Sequence, residues 1–276
     1  MTLDELLREG RGQLPHREAD WLLEHTTGLS APELRAHSDR HADGDEVARF
    51  RDLVQRRAGG APLAHLLGTQ PFRQLELEVN ASVLIPRPET EELVDHVLAL
   101  MPAEGSITAL DLGTGSGAIA LALAADRPHW SVTAVESSPA ALAIARGNGK
   151  RLELEVEWLA GDWFAPVGHR RFDVIVSNPP YVNDNDPDLA RDVATHEPRE
   201  ALLAGPDGLD AIRTITAAAP HHLTDGGWLI IEHGYRQAEG VRELMGATGL
   251  ARITSRRDHA GHHRFTAARH QETHSG

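Results

Sequence analysis

Asn178, Pro179, Pro180 and Tyr181 follow the apolar run "FDVIV" and set an amide, two rigid residues and an aromatic ring in a row. Proline has no backbone N–H and holds the residue before it extended, so the chain leaves a strand here along a fixed path. The Asn178 side-chain carbonyl and the Pro179 backbone carbonyl can both accept hydrogen bonds from one NH2 group. An amide or ring NH2 is a poor nucleophile, because its lone pair is delocalised. Two acceptors would aim that nitrogen at an electrophilic carbon and stabilise the positive charge it gains. Tyr181 would offer its ring face to a flat substrate group. The plain alternative, a stiff strand exit with no chemistry, is weakened by what lies upstream.

That upstream feature is "LDLGTGSGAIALALA", which places Gly113, Thr114, Gly115, Ser116 and Gly117 between a strand and a helix. Glycines there permit a sharp turn and let a ligand approach the backbone beside a positive helix N-terminus. With Ala118 the stretch also satisfies the relaxed dinucleotide pattern G-x-G-x-x-A, so the loop alone does not choose a cofactor. Its neighbours favour S-adenosylmethionine, with S-adenosylhomocysteine as product. Asp111 would meet the ammonium of a bound amino acid, for which a dinucleotide has no use. Glu136 would accept from ribose hydroxyls, Asp162 from an adenine amine, and Trp163 would pack on the ring. Each also has a bland use, as a helix cap or as core, but all fall at successive strand ends.

The elements that must position these residues are legible in the hydrophobic period. Strand patterns "SITALDLG", "WSVTAVES", "LEVEWLAGD", "FDVIVSN", "GGWLIIEHG", "LARITSRRD" and "HRFTAARH" alternate with helical ones for most of their length. That predicts an α/β, Rossmann-like sheet of seven mostly parallel strands. The first part reads as helices: Thr2 and Glu5 have capping-box spacing, and Val47, Phe50, Leu53 and Val54 share one face. "FRQLELEVN" and "SVLIP", joined at Asn80 and Ala81, read as a β-hairpin. The expected organisation is a helical domain over 1–68, a hairpin connector over 69–86, an α/β domain over 87–270 and a disordered tail over 271–276.

Composition narrows the classes further. Of 276 residues 41% are hydrophobic and 25% charged, the profile of a globular protein, and no apolar run nears the ~18 residues of a membrane span. There is no cysteine, which removes disulfides and thiolate metal sites and fits a cytoplasmic location. The net charge of −14, with Lys150 as the single lysine, argues against a free nucleic-acid substrate, whose affinity rests on phosphate neutralisation.

The motifs together resemble the release factor glutamine methyltransferases, the PrmC (HemK) family. "PLAHLLGTQPF", "LIPRPETEELV", "DLGTGSGAIALALA", "GDWF", "VSNPPYV", "HEPREALLAGPDGLDAI" and "IIEHGYRQAEGVR" carry the resemblance, which runs from about residue 60 to 268. It implies a class I S-adenosylmethionine-dependent methyltransferase domain behind a small helical domain. It implies methylation of the side-chain nitrogen of the glutamine in the Gly-Gly-Gln motif of bacterial class-1 release factors. By the same resemblance the 113–117 loop, Glu136, Trp163 and Asn178 bind cofactor, while Asn178, Pro179, Pro180 and Tyr181 hold the glutamine. Glu136 stands where the family more usually has aspartate. Asp258, Gly261 and Arg264 keep the family spacing among unusual histidines.

Three other readings share parts of this pattern. A sister enzyme methylates a glutamine of a ribosomal large-subunit protein, though "LIPRPETEELV" and "IIEHGYRQ" favour the release factor enzyme. An adenine-N6 nucleic-acid methyltransferase would also hold an NH2, but would want a basic cleft. A non-enzymatic helical binding module would have no need of an intact glycine loop. His221, His222, His259, His262 and His263 read as surface groups, so no metal is expected. His196, Glu197 and Pro198 are expected to order the loop over the substrate, Glu232 and His233 to pack behind it, and Arg87 and Glu89 to line the cofactor pocket or start a helix.

Overall fold

The structure, a computed structural model, describes residues 1–184 and 196–271; beyond Gln271 the expected tail lies outside the described residues. The chain divides into two compact units, one over Met1–Thr69 and a larger one that begins at Gln70. Among the described residues no helix is long and apolar enough to cross a membrane.

The first unit is helical: α1 (Leu3–Arg11), α2 (His16–Thr27), α3 (Ala31–Ala36), α4 (Gly44–Ala58) and α5 (Leu63–Leu67). Local chemistry sets its boundaries. Thr2 and Glu5 form the capping box that starts α1, Asp43 and Glu46 form another at α4, and Gly28 ends α2 in the left-handed conformation. Leu6, Leu22, Leu23, Phe50 and Val54 close over one another as this unit's own core. Burying each such side chain contributes about 1.5–3 kcal/mol.

A two-stranded hairpin follows, β1 (Thr69–Phe72) and β2 (Leu75–Glu78). Its turn is at Arg73 and Gln74, not at Asn80 and Ala81, and "SVLIP" is not a strand. Arg73 determines this: its backbone N–H donates to Glu91 Oε1 at 3.0 Å, and its guanidinium pairs with Asp95 and Asp126 at 2.6 and 2.9 Å. The segment around 82–86 finds partners other than a ladder. The Asn80 side chain accepts from Ser82 N, Ile85 N donates to Glu197, and Pro86 has no N–H to offer. Val83 and Ile85 are buried in this loop, which is why they resemble the inward face of a strand.

Seven strands follow: β3 (Thr108–Leu112), β4 (Ser131–Glu136), β5 (Glu157–Ala160), β6 (Phe172–Ser177), β7 (Leu223–Glu232), β8 (Ala251–Arg257) and β9 (His263–Arg269). They lie in the order β5-β4-β3-β6-β7-β9-β8, parallel except where β9 runs against β7 and β8. The sheet buries both faces. Ala109, Val174, Val176 and Ile230 meet α6 (Pro88–Leu100) and α7 (Ala118–Asp126) in one core. Their alternates Leu110, Ile175, Leu229 and Ile231 meet α9 (Asp210–His222) and α10 (Ala238–Ala247) in the other. The helix α8 (Pro139–Arg151) joins β4 to β5. The chain builds β3, β4 and β5 outward in one direction, then returns to lay β6 on the opposite side of β3. That reversal is a topological switch point, where a crevice opens at the strand C-termini.

Candidate active site

A cleft of about 440 Å³ occupies that crevice, within the range of about 300–1,000 Å³ common for small-molecule sites. Gly113, Thr114, Gly115 and Ser116 reach it from β3, Glu136 from β4, Asp162 and Trp163 from β5, and Asn178 and Pro180 from β6. Asp111, Gly117, Pro179 and Tyr181 are not on its wall.

Two glycines show what the loop requires. Gly115 has φ +57, and a Cβ placed on it would have nothing within 4 Å, so the backbone is open to a ligand. Gly117 starts α7 at φ +86, and there a Cβ would sit 3.0 Å from Leu121 and 3.1 Å from Trp158. The Glu136 carboxylate grips the loop, accepting from Gly115 N and from Ser138 N, each at 2.9 Å. The Trp163 ring lies over Gly113. Asn148, fully buried in α8, ties loop to hairpin: its amide donates to the Ser116 and Glu78 carbonyls and its oxygen accepts from Glu78 N.

Asp111 is completely buried beneath the loop. Its Oδ2 accepts from Thr114 Oγ1 at 2.5 Å and from Ala120 N at 3.2 Å, while its Oδ1 has no partner. Burial pushes its carboxyl up to about 7, against the pull of the Thr114 and Ala120 hydrogen bonds.

The β6 exit forms a second cluster. Asn178 Nδ2 donates to Thr90 Oγ1 at 3.1 Å, and the buried Asn178 Oδ1 has no partner. Thr90 in turn donates to Glu232 Oε2 at 2.8 Å, and Tyr181 donates to Glu232 Oε1 at 3.3 Å. Glu232 ends β7, fully buried, and burial raises it to about 7 although Thr90 and Arg264 pull it down. Burial and the Glu232 charge push the Tyr181 phenol well above its ordinary value, so it stays protonated and donates. Gln237 clasps the same loop from α10's N-terminus, donating to the carbonyls of Tyr181 and Gly208 at 2.9 and 3.2 Å.

Of the lesser candidates, Glu197 is buried and pairs with Arg87, and its other oxygen accepts from Ile85 N at 3.4 Å. Two residues far apart in sequence thereby fix the 82–86 segment, which forms part of the cleft wall. His233 bonds to Thr266 Oγ1 at 2.8 Å, and burial lowers it to about 4, so it is a neutral structural group. The His222 ring stacks on Phe164 and His262 packs edge-on against Tyr235. Among the described residues no three His, Asp or Glu side chains gather in a way that would hold a metal.

Comparison with known proteins agrees with this architecture. The methyltransferase small domain family matches residues 91–202, and the PrmC N-terminal domain family matches residues 4–68. A release factor glutamine methyltransferase of Pseudomonas aeruginosa is 48% identical over 96% of this chain and 97% of its own. One of Coxiella burnetii is 44% identical over 92% of each chain. The chain belongs to the release factor glutamine methyltransferase family. A solved methyltransferase of Pyrococcus furiosus, 20% identical, shares the fold with a TM-score of 0.56 over 72% of this chain and 90% of its own. The larger unit thus has the class I methyltransferase fold. Within this family member, sequence reasoning missed Thr90, Asn148 and Gln237 as supports of the site. Thr90 lies inside "RPETE" and Gln237 inside "YRQ", both singled out as motifs; only the motif, not the spacing, marked them.

Proposed function

We propose that the chain transfers the methyl group of S-adenosylmethionine to the side-chain amide nitrogen of the glutamine in the Gly-Gly-Gln motif of bacterial class-1 release factors. The observation that carries this reading is the unpartnered carbonyl of Asn178. A buried acceptor without a donor costs about 1–3 kcal/mol, and a substrate NH2 supplies the missing hydrogen. Family membership supports the choice of a protein glutamine over a nucleic-acid base.

The cleft residues fit the cofactor. The open backbone at Gly115, the Glu136 carboxylate, the exposed Asp162 and the Trp163 ring suit a ribose and an adenine. Asp111 lies beneath the loop and off the cleft wall, and its orphan Oδ1 has the chemistry to suit an ammonium group. When bound, S-adenosylmethionine supplies an electrophilic methyl group attached to a positively charged sulfur. Asn178 Oδ1 accepts one hydrogen of the glutamine NH2, and the Pro179 carbonyl is the second acceptor. Both bonds strengthen as positive charge grows on the nitrogen, so they stabilise the transition state more than the bound substrate. Pro179 and Pro180 fix the acceptors beforehand, and Tyr181, pinned by Glu232 and Gln237, holds the loop against the sheet. The nitrogen becomes acidic on methylation, so its proton passes to water without a dedicated base. We further assign the helical unit, residues 1–68, to gripping the release factor, and a cytoplasmic location follows from that partner.

Asn178→Ala tests the reading. Loss of one preorganised group of this kind typically costs about 10²–10³ in kcat. The cofactor Kd, measured by calorimetry, is expected to change less than about fivefold, because the glycine loop and Glu136 remain. An unchanged kcat refutes the assignment.

A further inference from the structure

The amide of Asn178 has two ends of nearly equal size, and only one of them suits an NH2 substrate. Facing the substrate with its own NH2 would set donor against donor. Nothing in the Asn178 side chain itself prefers the useful orientation, so the surroundings must impose it.

Thr90 is placed to do this. Its hydroxyl has a single hydrogen and stands between two neighbours, Glu232 Oε2 at 2.8 Å and the Asn178 amide at 3.1 Å. Glu232 accepts on both oxygens, from Thr90 and from Tyr181, and the charge of Arg264 favours its ionised form. While Glu232 is ionised it can only accept, so the Thr90 hydrogen is committed to it. What remains toward Asn178 is a lone pair, and a lone pair can face only the NH2 end of that amide. The carbonyl end is turned away from Thr90 and left unpartnered, beside a cleft whose wall both residues form. Thr90 is held in turn by its place in the first turn of α6, where its N–H donates to the Arg87 carbonyl at 3.1 Å. Three elements remote in sequence thus converge: α6, the β6 exit and the end of β7.

We propose that Thr90, directed by Glu232, is a positioning residue for the transfer, and that it fixes which end of the Asn178 amide meets the substrate; this rests on the reading of Asn178 as the NH2 acceptor. The hydrogen-bond direction runs one way, from Asn178 to Thr90 to Glu232. Reversing it would present an NH2 to the substrate and lose the match. The carboxylate at 232 is thereby a selector for substrates that donate from nitrogen, although it does not line the cleft.

The test uses the full-length protein, labelled S-adenosylmethionine and purified release factor. Thr90→Val keeps the shape but removes both hydrogen bonds, leaving the Asn178 NH2 against a methyl group and free to turn to the cleft. Its kcat is expected to fall at least tenfold, with cofactor Kd changed less than about threefold. Thr90→Ser restores the hydroxyl and is expected to return kcat to within about threefold of wild type, which a packing role for the threonine methyl would not produce. Glu232→Gln, whose side-chain amide can donate to Thr90 and so permits the reversed chain, is expected to lose at least fivefold in kcat, and it serves also if Thr90→Val does not fold. Wild-type kcat in either Thr90→Val or Glu232→Gln, with Asn178→Ala inactive, overturns the positioning role and leaves the acceptor reading standing. Wild-type kcat in Asn178→Ala overturns the acceptor reading itself.

Discussion

Asp111→Asn separates what a buried carboxylate does to the fold from what it does for a ligand. Burial raises the Asp111 carboxyl from 3.8 to about 7. At about 1.36 kcal/mol per unit, ionising it in the ligand-free fold costs about 4 kcal/mol. The folded value is the higher one, so the folded protein holds the proton more tightly than the unfolded chain. The stabilisation is complete below about pH 4 and is lost as pH rises through 7. Asparagine stays neutral, and its oxygen can still accept from Thr114 and Ala120 as Oδ2 does now. The variant is therefore expected to match wild type within about 1 kcal/mol near pH 4. By pH 9 it should be more stable by about 2–4 kcal/mol in denaturant unfolding. Ligand binding should show the opposite sign. An ammonium beside Oδ1 pulls the carboxyl well below 7, so wild type at pH 7 should release roughly half a proton on binding S-adenosylmethionine. Calorimetry in buffers of different ionisation heat reads that number directly. The variant should bind at least tenfold more weakly and release none of this half proton. Equal proton release, or a loss of stability at every pH, would refute the account of Asp111.

Two further outcomes are expected. Gly117→Ala places a methyl against Leu121 and Trp158 at positive φ and should cost about 2–4 kcal/mol of stability, whereas Gly115→Ala, with open space around it, should cost about 1–2 kcal/mol and chiefly weaken cofactor binding. Denaturation and calorimetry on the pair check this contrast, and equal stability loss would contradict it. Removing residues 1–68 should lower kcat/KM for intact release factor at least tenfold while leaving cofactor Kd nearly unchanged; an unchanged kcat/KM would remove the helical unit from recognition.

How far the sequence reached depends on how local each determinant is. The capping boxes at Thr2 and Asp43, the alternation of strands and helices and the glycine loop rest on neighbours within a few positions, and all are visible as patterns. Asn178 stood out because two prolines follow it. The hairpin turn did not, because it is held by Arg73 on Glu91, Asp95 and Asp126, contacts that no local period encodes. Buried Val83 and Ile85 imitated a strand, while Glu197, more than a hundred residues away, supplied the partner that a ladder would have given. The link of Thr90 to Asn178 and Glu232 is equally remote, spanning separations of 88 and 142 positions. Such side-chain networks arise only when topology brings strand ends and helix starts together.

A glutamine NH2 of a release factor is the proposed methyl acceptor. This assignment is tested most directly by supplying labelled S-adenosylmethionine to purified release factor, to the same factor with its Gly-Gly-Gln glutamine replaced, and to ribosomal large-subunit protein. Label is expected on the intact release factor and is expected to disappear with the glutamine. Label that persists after the replacement, or that appears only on the ribosomal protein, would contradict the assignment.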